Sequence, residues 1–287
     1  MRAPTVLAPA PPAAGTGPLD ALARTPRGRF DHGPVSVRRD TGPRTVRVRR
    51  TGGRLLVRHG LLPADLDERL VPQVAGLVDG VDELAAVLTG LVLSTVADPV
   101  GAWTRYYRQS MTQIDGGGTG LGPVHTHALD LLRGRDVLEL GSCFGFLALG
   151  AAGRGHRVTA TDLSPGTAAL LAAVAPRLGA DLTTLACDAA AVPLPDASVD
   201  TVLAVHLLEH LDPGHGTAVV TEALRLARRR VVLAVPYEQT PTVAYGHVRT
   251  FTAAHLRATC VDARPGSRWT VDVHPHHGGW AVLDRVR

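Results

Sequence analysis

Short apolar runs recur along the second half of the chain, each closed by a glycine, proline or polar break. Residues 136–140 (DVLEL), 158–161 (VTAT), 182–186 (LTTLA), 201–205 (TVLAV) and 231–235 (VVLAV) have the length and apolar character of strands buried in a sheet. Between them, residues 147–153, 213–228 and 251–258 read as helices. Strands alternating with helices predict an α/β fold with a doubly wound, Rossmann-like parallel sheet. Residues 269–273 and 280–284 flank His276, His277, Gly278 and Gly279, and predict a closing hairpin with a reversed last strand.

Upstream the period changes. Residues 35–57 alternate as SVRR, TVRVRR and RLLVR, and Thr51-Gly52-Gly53 between two of these runs predicts a hairpin turn. Over residues 62–96, Leu66, Leu70, Val74, Leu77, Val81, Leu84 and Leu88 recur at helical spacing; Pro72 splits the run into two helices. Pro99 and Gly101 end it. The Trp103–Tyr107 stretch, WTRYY, predicts a cap helix over the mouth of a site, although core packing alone would also explain these aromatics. Residues 115–122 form a glycine-rich loop. His125 and His127 then open the helix leading to the first sheet strand, either to meet a substrate or as ordinary polar helix-start residues. Residues 1–33, rich in Pro, Ala, Gly and Arg, are expected to form a disordered basic arm. The expected organisation is therefore an arm (1–33), a hairpin and helical cap (34–113), and an α/β domain (114–287).

Composition adds three constraints. Aromatic residues are 4% of the chain, so the core is built from Ala, Val and Leu. All 30 basic residues are Arg, and charge is uneven: residues 1–60 hold 12 Arg against 3 Asp, net +9, and the remainder is net −5. A basic arm could touch nucleic acid or a membrane surface, but no aromatics interleave with the Arg run, which argues against a nucleic-acid platform. Cys143, Cys187 and Cys260 are odd in number and lack metal-site spacing; with no secretory signal or membrane-length apolar run, they suggest reduced thiols in a cytoplasmic protein. The oligomeric state is not legible.

The chemistry centres on residues 136–165. Gly141 and Gly145 fall in the turn after the first strand, where a missing side chain lets backbone approach a ligand. Asp162 ends the next strand, 21 positions after Gly141, placed to accept a ribose hydroxyl hydrogen bond. A dinucleotide turn, G-x-G-x-x-G, would need glycine at 143 and 146, where Cys143 and Phe146 stand. The run from Glu139 to Gly145 instead reads E-x-G-x-C-x-G. It resembles the E/D-x-G-x-G-x-G turn of class I, seven-stranded S-adenosylmethionine (SAM) methyltransferases, over roughly the last 180 residues. Cys143 departs from the middle glycine. The resemblance implies a SAM site of Glu139, Gly141, Ser142, Cys143, Gly145, Asp162 and Leu163, with Asp188 facing the adenine amino group and Ala189 beside the ring.

Strand four ends at His206, and the next turn reads His206-Leu-Leu-Glu209-His210. On a helix these three polar groups would share one face. With His247 they resemble the E-x-x-E-H…H metal site of small-RNA 2′-O-methyltransferases and its relative in ubiquinone-pathway O-methyltransferases, with His206 replacing the first Glu. That resemblance implies a divalent metal on His206, Glu209, His210 and His247. Three imidazoles and one carboxylate would suit Mn, Fe, Co or Zn better than Mg. The alternative is a metal-free site with His206 or His210 as general base. Glu-His after strand four also occurs in this fold without either role. His274, His276 and His277 read as a turn or substrate wall rather than a second metal site.

An imidazole-rich face fits an oxygen nucleophile, such as a sugar hydroxyl. ELGSCFGF, AVHLLEHL, VPYEQTPTVAYGHVRTF and HHGGW together resemble the mycofactocin oligosaccharide methyltransferases, which implies a glucose hydroxyl acceptor. The alternatives are another hydroxyl (lipid, quinol or small RNA), or a non-catalytic SAM-fold binding protein.

Overall fold

The computed structural model describes residues 17–263 and 268–286. Its N-terminal part is a four-stranded sheet: β1 (Arg29–His32), β2 (Val35–Arg39), β3 (Val46–Thr51) and β4 (Arg54–His59), in the order β1-β2-β4-β3. The expected hairpin is β3–β4, with Thr51 opposite Arg54 across Gly52 and Gly53, both at positive φ. Two helices follow, α1 (Leu70–Ala75) and α2 (Val81–Thr95), separated at Gly80. Pro72 lies in the first turn of α1, where its missing N–H has no intrahelical partner to lose. Pro99 opens α3 (Pro99–Asp115) at its first position, capped by Asp98, whose carboxylate accepts the Gly101 N–H at 2.8 Å.

The larger sheet begins after α4 (Leu121–Asp130). In chain order come β5 (Asp136–Glu139), α5 (Phe146–Gly153), β6 (Arg157–Asp162), α6 (Pro165–Val174), β7 (Leu182–Ala186), β8 (Val199–Val205), α7 (Pro213–Leu226), β9 (Ala227–Val235), α8 (Ala253–Ala263), β10 (Trp269–Pro275) and β11 (Gly279–Arg285). The seven strands lie in the order β10-β11-β9-β8-β5-β6-β7. β7, β6, β5, β8 and β9 run parallel; β11 is antiparallel to both β9 and β10, which is the expected reversed strand. This is the Rossmann-like α/β architecture the apolar runs predict. The order reverses between β5 and β8, so a crevice opens beyond their carboxyl ends.

The arm expected over residues 1–33 requires a correction from residue 17 onward; residues 1–16 lie outside the described part. β1 pairs with β2, Phe30 is buried, Leu19 and Leu22 pack on the core, and Trp103 Nε1 donates to Ala21 O at 2.7 Å. A few apolar residues among many prolines and arginines suffice because a partner surface is waiting for each. The basic stretch also has internal partners: Arg29 and Arg38 with Asp31, Arg44 with Asp65, Arg47 with Asp40, and Arg50 with Asp79 and Glu83.

One apolar cluster joins the small sheet, α2 and α3 to one face of the large sheet, running from Phe30 and Val37 through Leu91 and Tyr107 to Leu149 and Trp280. Among the described residues no single helix is long and apolar enough to cross a membrane. α2 and α3 reach that threshold only as a pair bent by 109°, and both bury much of their surface in this core.

Candidate active site

The turn after β5 has the conformation its glycines allow. Gly141 and Gly145 take φ 65° and 70°, in the left-handed region. A Cβ at Gly141 would also lie 2.6 Å from Leu207 Cδ1. Cys143 shares this conformation at φ 49°, so the residue that departs from the motif does so at a position that favours glycine. Its N–H donates to Asp162 Oδ2 at 3.0 Å, and the Ser164 N–H donates to Oδ1 at 2.8 Å. Asp162 is thus held at the end of β6 beside the turn. Desolvation raises its pKa above the usual carboxylate value, with those two amides opposing. Leu163 next to it is 73% exposed, an apolar surface at the rim.

Glu139 is buried, its Oε2 has no hydrogen-bond partner, and burial pushes its pKa up to about 8 against the Ala148 amide. Ser142 is buried, and its N–H bonds Thr161 O at 2.7 Å. Asp188 follows β7. Its Oδ1 accepts the Ala190 N–H at 2.8 Å and lies 2.9 Å from His215 Nε2. Both interactions lower its pKa. His215, in the first turn of α7, is a contact that sequence reasoning missed, since only tertiary packing brings it to Asp188. Ala189 is half-buried beside it.

The aromatic stretch on α3 packs against this turn as part of the core. Trp103, Tyr106 and Tyr107 are buried. Trp103 and Tyr106 contact Phe144 at centroid distances of 5.9 and 5.5 Å, and Tyr107 contacts Phe146 at 5.2 Å.

At the end of β8 the local structure differs from the expected helical turn. His206 has φ 55°, and only Leu208–His210 forms a short 3₁₀ turn. The left-handed residue breaks the helical phase, so His206, Glu209 and His210 do not share one helix face. Among the described residues, one set of His, Cys, Asp or Glu side chains brings potential ligand atoms within 4.8 Å of one another: Glu209, His210 and His247. His206 is outside this set, although its Nδ1 is 3.4 Å from Glu209 Oε1.

The three convergent residues are well supported. Glu209 is 1% exposed, and neither carboxylate oxygen has a hydrogen-bond partner. His210 Nδ1 is 3.2 Å from Gly246 O, and His247 Nδ1 is 2.8 Å from Glu238 Oε2, so each ring keeps Nε2 free. Glu238 is itself held by the Thr242 hydroxyl at 2.7 Å. Burial, aided by His247 and His206 but opposed by Glu209 and Gly246, lowers the His210 pKa. A buried carboxylate without donors beside two oriented imidazoles is the donor set of a divalent-cation site, and these residues fit one.

The histidines at the sheet edge form a separate cluster. His127 Nε2 is 3.0 Å from His274 Nε2, and the His127 ring stacks on His276 at 4.2 Å. His274 is oriented by Asp272 at 2.9 Å, while His277 sits in the hairpin turn at φ 49°. His125 makes no side-chain hydrogen bond among the described residues; burial first, and His206 beside it, lower its pKa to about 4.

Residues 138–235 match the family model described as a methyltransferase domain. No curated protein matches the chain. Similar solved structures include a SAM-dependent methyltransferase of Methanosarcina mazei, at 16% identity and TM-score 0.46, covering 56% of this chain and 97% of its own. Magnesium protoporphyrin IX methyltransferase of Synechocystis PCC 6803, with SAM bound, is 18% identical at TM-score 0.43 and covers 66% and 83%. A SAM-dependent methyltransferase of Aquifex aeolicus is 16% identical at TM-score 0.46 and covers 61% and 97%.

Proposed function

We propose that this SAM-dependent methyltransferase transfers its methyl group to a hydroxyl oxygen, with a sugar hydroxyl as the acceptor. The observation that carries the reading is the convergence of Glu209, His210 and His247 at the carboxyl end of β8, beside the cofactor turn. SAM supplies an activated methyl on a cationic sulfur, so the protein's task is to align the acceptor and raise its nucleophilicity. A hydroxyl is the nucleophile class that needs such help.

A divalent cation held by Glu209, His210 and His247 would supply Lewis acidity that lowers the hydroxyl pKa. Glu238 holds the His247 tautomer, the Gly246 carbonyl holds that of His210, and the orphaned Glu209 oxygens bring the negative charge that a cation needs. His206, as a neighbour of Glu209, stands as a further donor or as an acceptor-positioning group. A sugar, with adjacent oxygens, suits a chelating site. The resemblance to mycofactocin oligosaccharide methyltransferases points to a glucose of that glycan, with lipid, quinol and small-RNA hydroxyls as rival acceptors.

A second reading keeps the same acceptor and makes His210 the general base, since its Nδ1 contact leaves Nε2 open to take a proton. The test is methyl transfer from labelled SAM to a glucose oligosaccharide, with and without chelator, alongside metal analysis of the purified protein. The metal reading expects chelator to abolish turnover with SAM binding intact, and Glu209→Ala, His210→Ala and His247→Ala each to lose metal and activity together. Full activity in metal-free protein, with collapse only in His210→Ala, would leave the base reading. Turnover on a rival acceptor but none on the oligosaccharide would remove the sugar.

A further inference from the structure

The register of the small sheet sets arginines side by side on its outer face. The inner face is covered by α2, whose Gly90 meets Phe30 and Val37. On the outer face, Arg29 of β1 lies opposite Arg38 of β2, Arg38 beside Arg58 of β4, and Arg58 opposite Arg47 of β3. Four arginines thus form one row across all four strands, about 14 Å long at the usual strand spacing. The next row holds Asp31, Ser36, Leu56 and Arg49, and beyond it Arg54 faces Thr51.

Like charges directly opposite one another destabilise a sheet, so such a row needs counter-charge. Part of it is internal: Asp31 pairs with Arg29 and Arg38, and Asp40 pairs with Arg47. Arg49, Arg54 and Arg58 are exposed and make no ion pair or side-chain hydrogen bond among the described residues. Arg58 is the sharpest case, since it stands between Arg38 and Arg47 without an acid of its own. Leu56, between Arg54 and Arg58 in β4, is 40% exposed. Charges on an edge strand guard it against pairing with another chain, which accounts for Arg47 and Arg49 on β3. β4 is paired on both sides, so edge protection does not account for Arg54 and Arg58.

We propose that this face docks on an anionic phospholipid bilayer, with Arg49, Arg54 and Arg58 meeting lipid phosphates and Leu56 entering the headgroup layer. Charge complementarity calls for a polyanion, and two features select a bilayer. The unpaired cations surround an exposed aliphatic side chain, which a lipid surface buries and a phosphate backbone leaves in water. The rings of the four strands, Phe30, His32 and His59, all occupy inner-face register positions, so the outer face has no platform on which a base would stack. Binding of this kind is reversible and screened by salt. The small sheet then recruits the catalytic sheet, with which it shares a core, to a membrane surface.

The experiment is sedimentation of the full chain with sucrose-loaded vesicles, of phosphatidylcholine alone or mixed with phosphatidylglycerol. Retention is expected on the mixed vesicles only. It should weaken about fivefold in each of Arg49→Gln, Arg54→Gln and Arg58→Gln, and vanish at about 0.5 M salt. Arg177→Gln, which removes an exposed arginine outside the small sheet, should leave retention unchanged. Equal weakening by Arg177→Gln would reduce the effect to net charge and overturn the proposal. So would unchanged retention in the three sheet variants, or no retention of the parent on mixed vesicles. Duplex RNA that strips the parent from the vesicles at matched phosphate concentration would overturn the bilayer in favour of nucleic acid. The three side chains bond nothing within the chain, so each variant should melt at or above the parent temperature; if one fails to fold, the other two decide.

Discussion

Cys143 shows how a single residue can depart from a motif and leave its geometry in place. The turn needs a left-handed residue at this position, and a non-glycine residue there costs about 1–2 kcal/mol. Glycine removes that cost but loses about 0.5–1 kcal/mol in chain entropy. Cys143→Gly should therefore raise the unfolding free energy by about 0–1.5 kcal/mol and leave SAM affinity unaltered. Weakened SAM binding in calorimetry would show that the thiol touches the cofactor. Asp162 is a different case, because its carboxylate organises the turn by accepting the Cys143 amide. Asp162→Ala should weaken SAM by about 1–3 kcal/mol; unchanged affinity would refute its ribose role. Both positions were legible from spacing alone. The contact of His215 with Asp188 was not, because nothing in a local pattern separates this helix-start histidine from an ordinary one.

Among the elements, the small sheet is joined to α2 through a neutral histidine. His59, the last residue of β4, is fully buried; its Nε2 is 2.8 Å from Ser94 Oγ, and its Nδ1 accepts the Leu61 N–H at 3.2 Å. Burial first, then Arg39, lower its pKa from 6.5 to about 4. Between those values the unfolded chain binds a proton that the native state does not, so stability is lost as pH falls from 6.5 towards 4. The loss from this residue is on the order of 2–3 kcal/mol by pH 4. His125 contributes in the same direction. Urea unfolding at pH 7 and pH 5 should show a smaller difference for His59→Gln than for the parent; an equal difference would place the acid sensitivity elsewhere. The pairing of β4 with α2 follows from burial of both partners, and the sequence shows only an isolated histidine at the end of an alternating run.

At the scale of the whole molecule, the N-terminal part and the large sheet share one apolar cluster, so the two are packed as one core. A chain beginning at Gly17 is expected to keep the melting temperature and SAM affinity of the full length, because residues 1–16 are mostly Pro, Ala and Gly with little apolar surface to bury. A chain beginning at Pro34 should lose several kcal/mol, since it deletes buried Phe30, the β1 strand and the Ala21 carbonyl bonded to Trp103. Thermal unfolding of the two truncations checks both. An unchanged Pro34 variant would mean that β1 adds nothing to the core.

What the sequence determined by itself was whatever a short window can encode. Apolar runs of strand length specified the strands, Gly141 and Gly145 specified the left-handed turn after β5, and the last hairpin specified the reversed strand. Each rests on period, chain reversal or a fixed spacing, all of which act between near neighbours. Only the tertiary structure decided which histidines meet. A left-handed backbone at His206 takes it out of the set that Glu209 and His210 form with His247, 37 residues further along. Tertiary packing likewise brought residues 17–33 onto the core and His215 to Asp188. Such contacts depend on surfaces that exist only once the elements have packed, because burial, desolvation and the convergence of side chains from separate strands are properties of the assembled core.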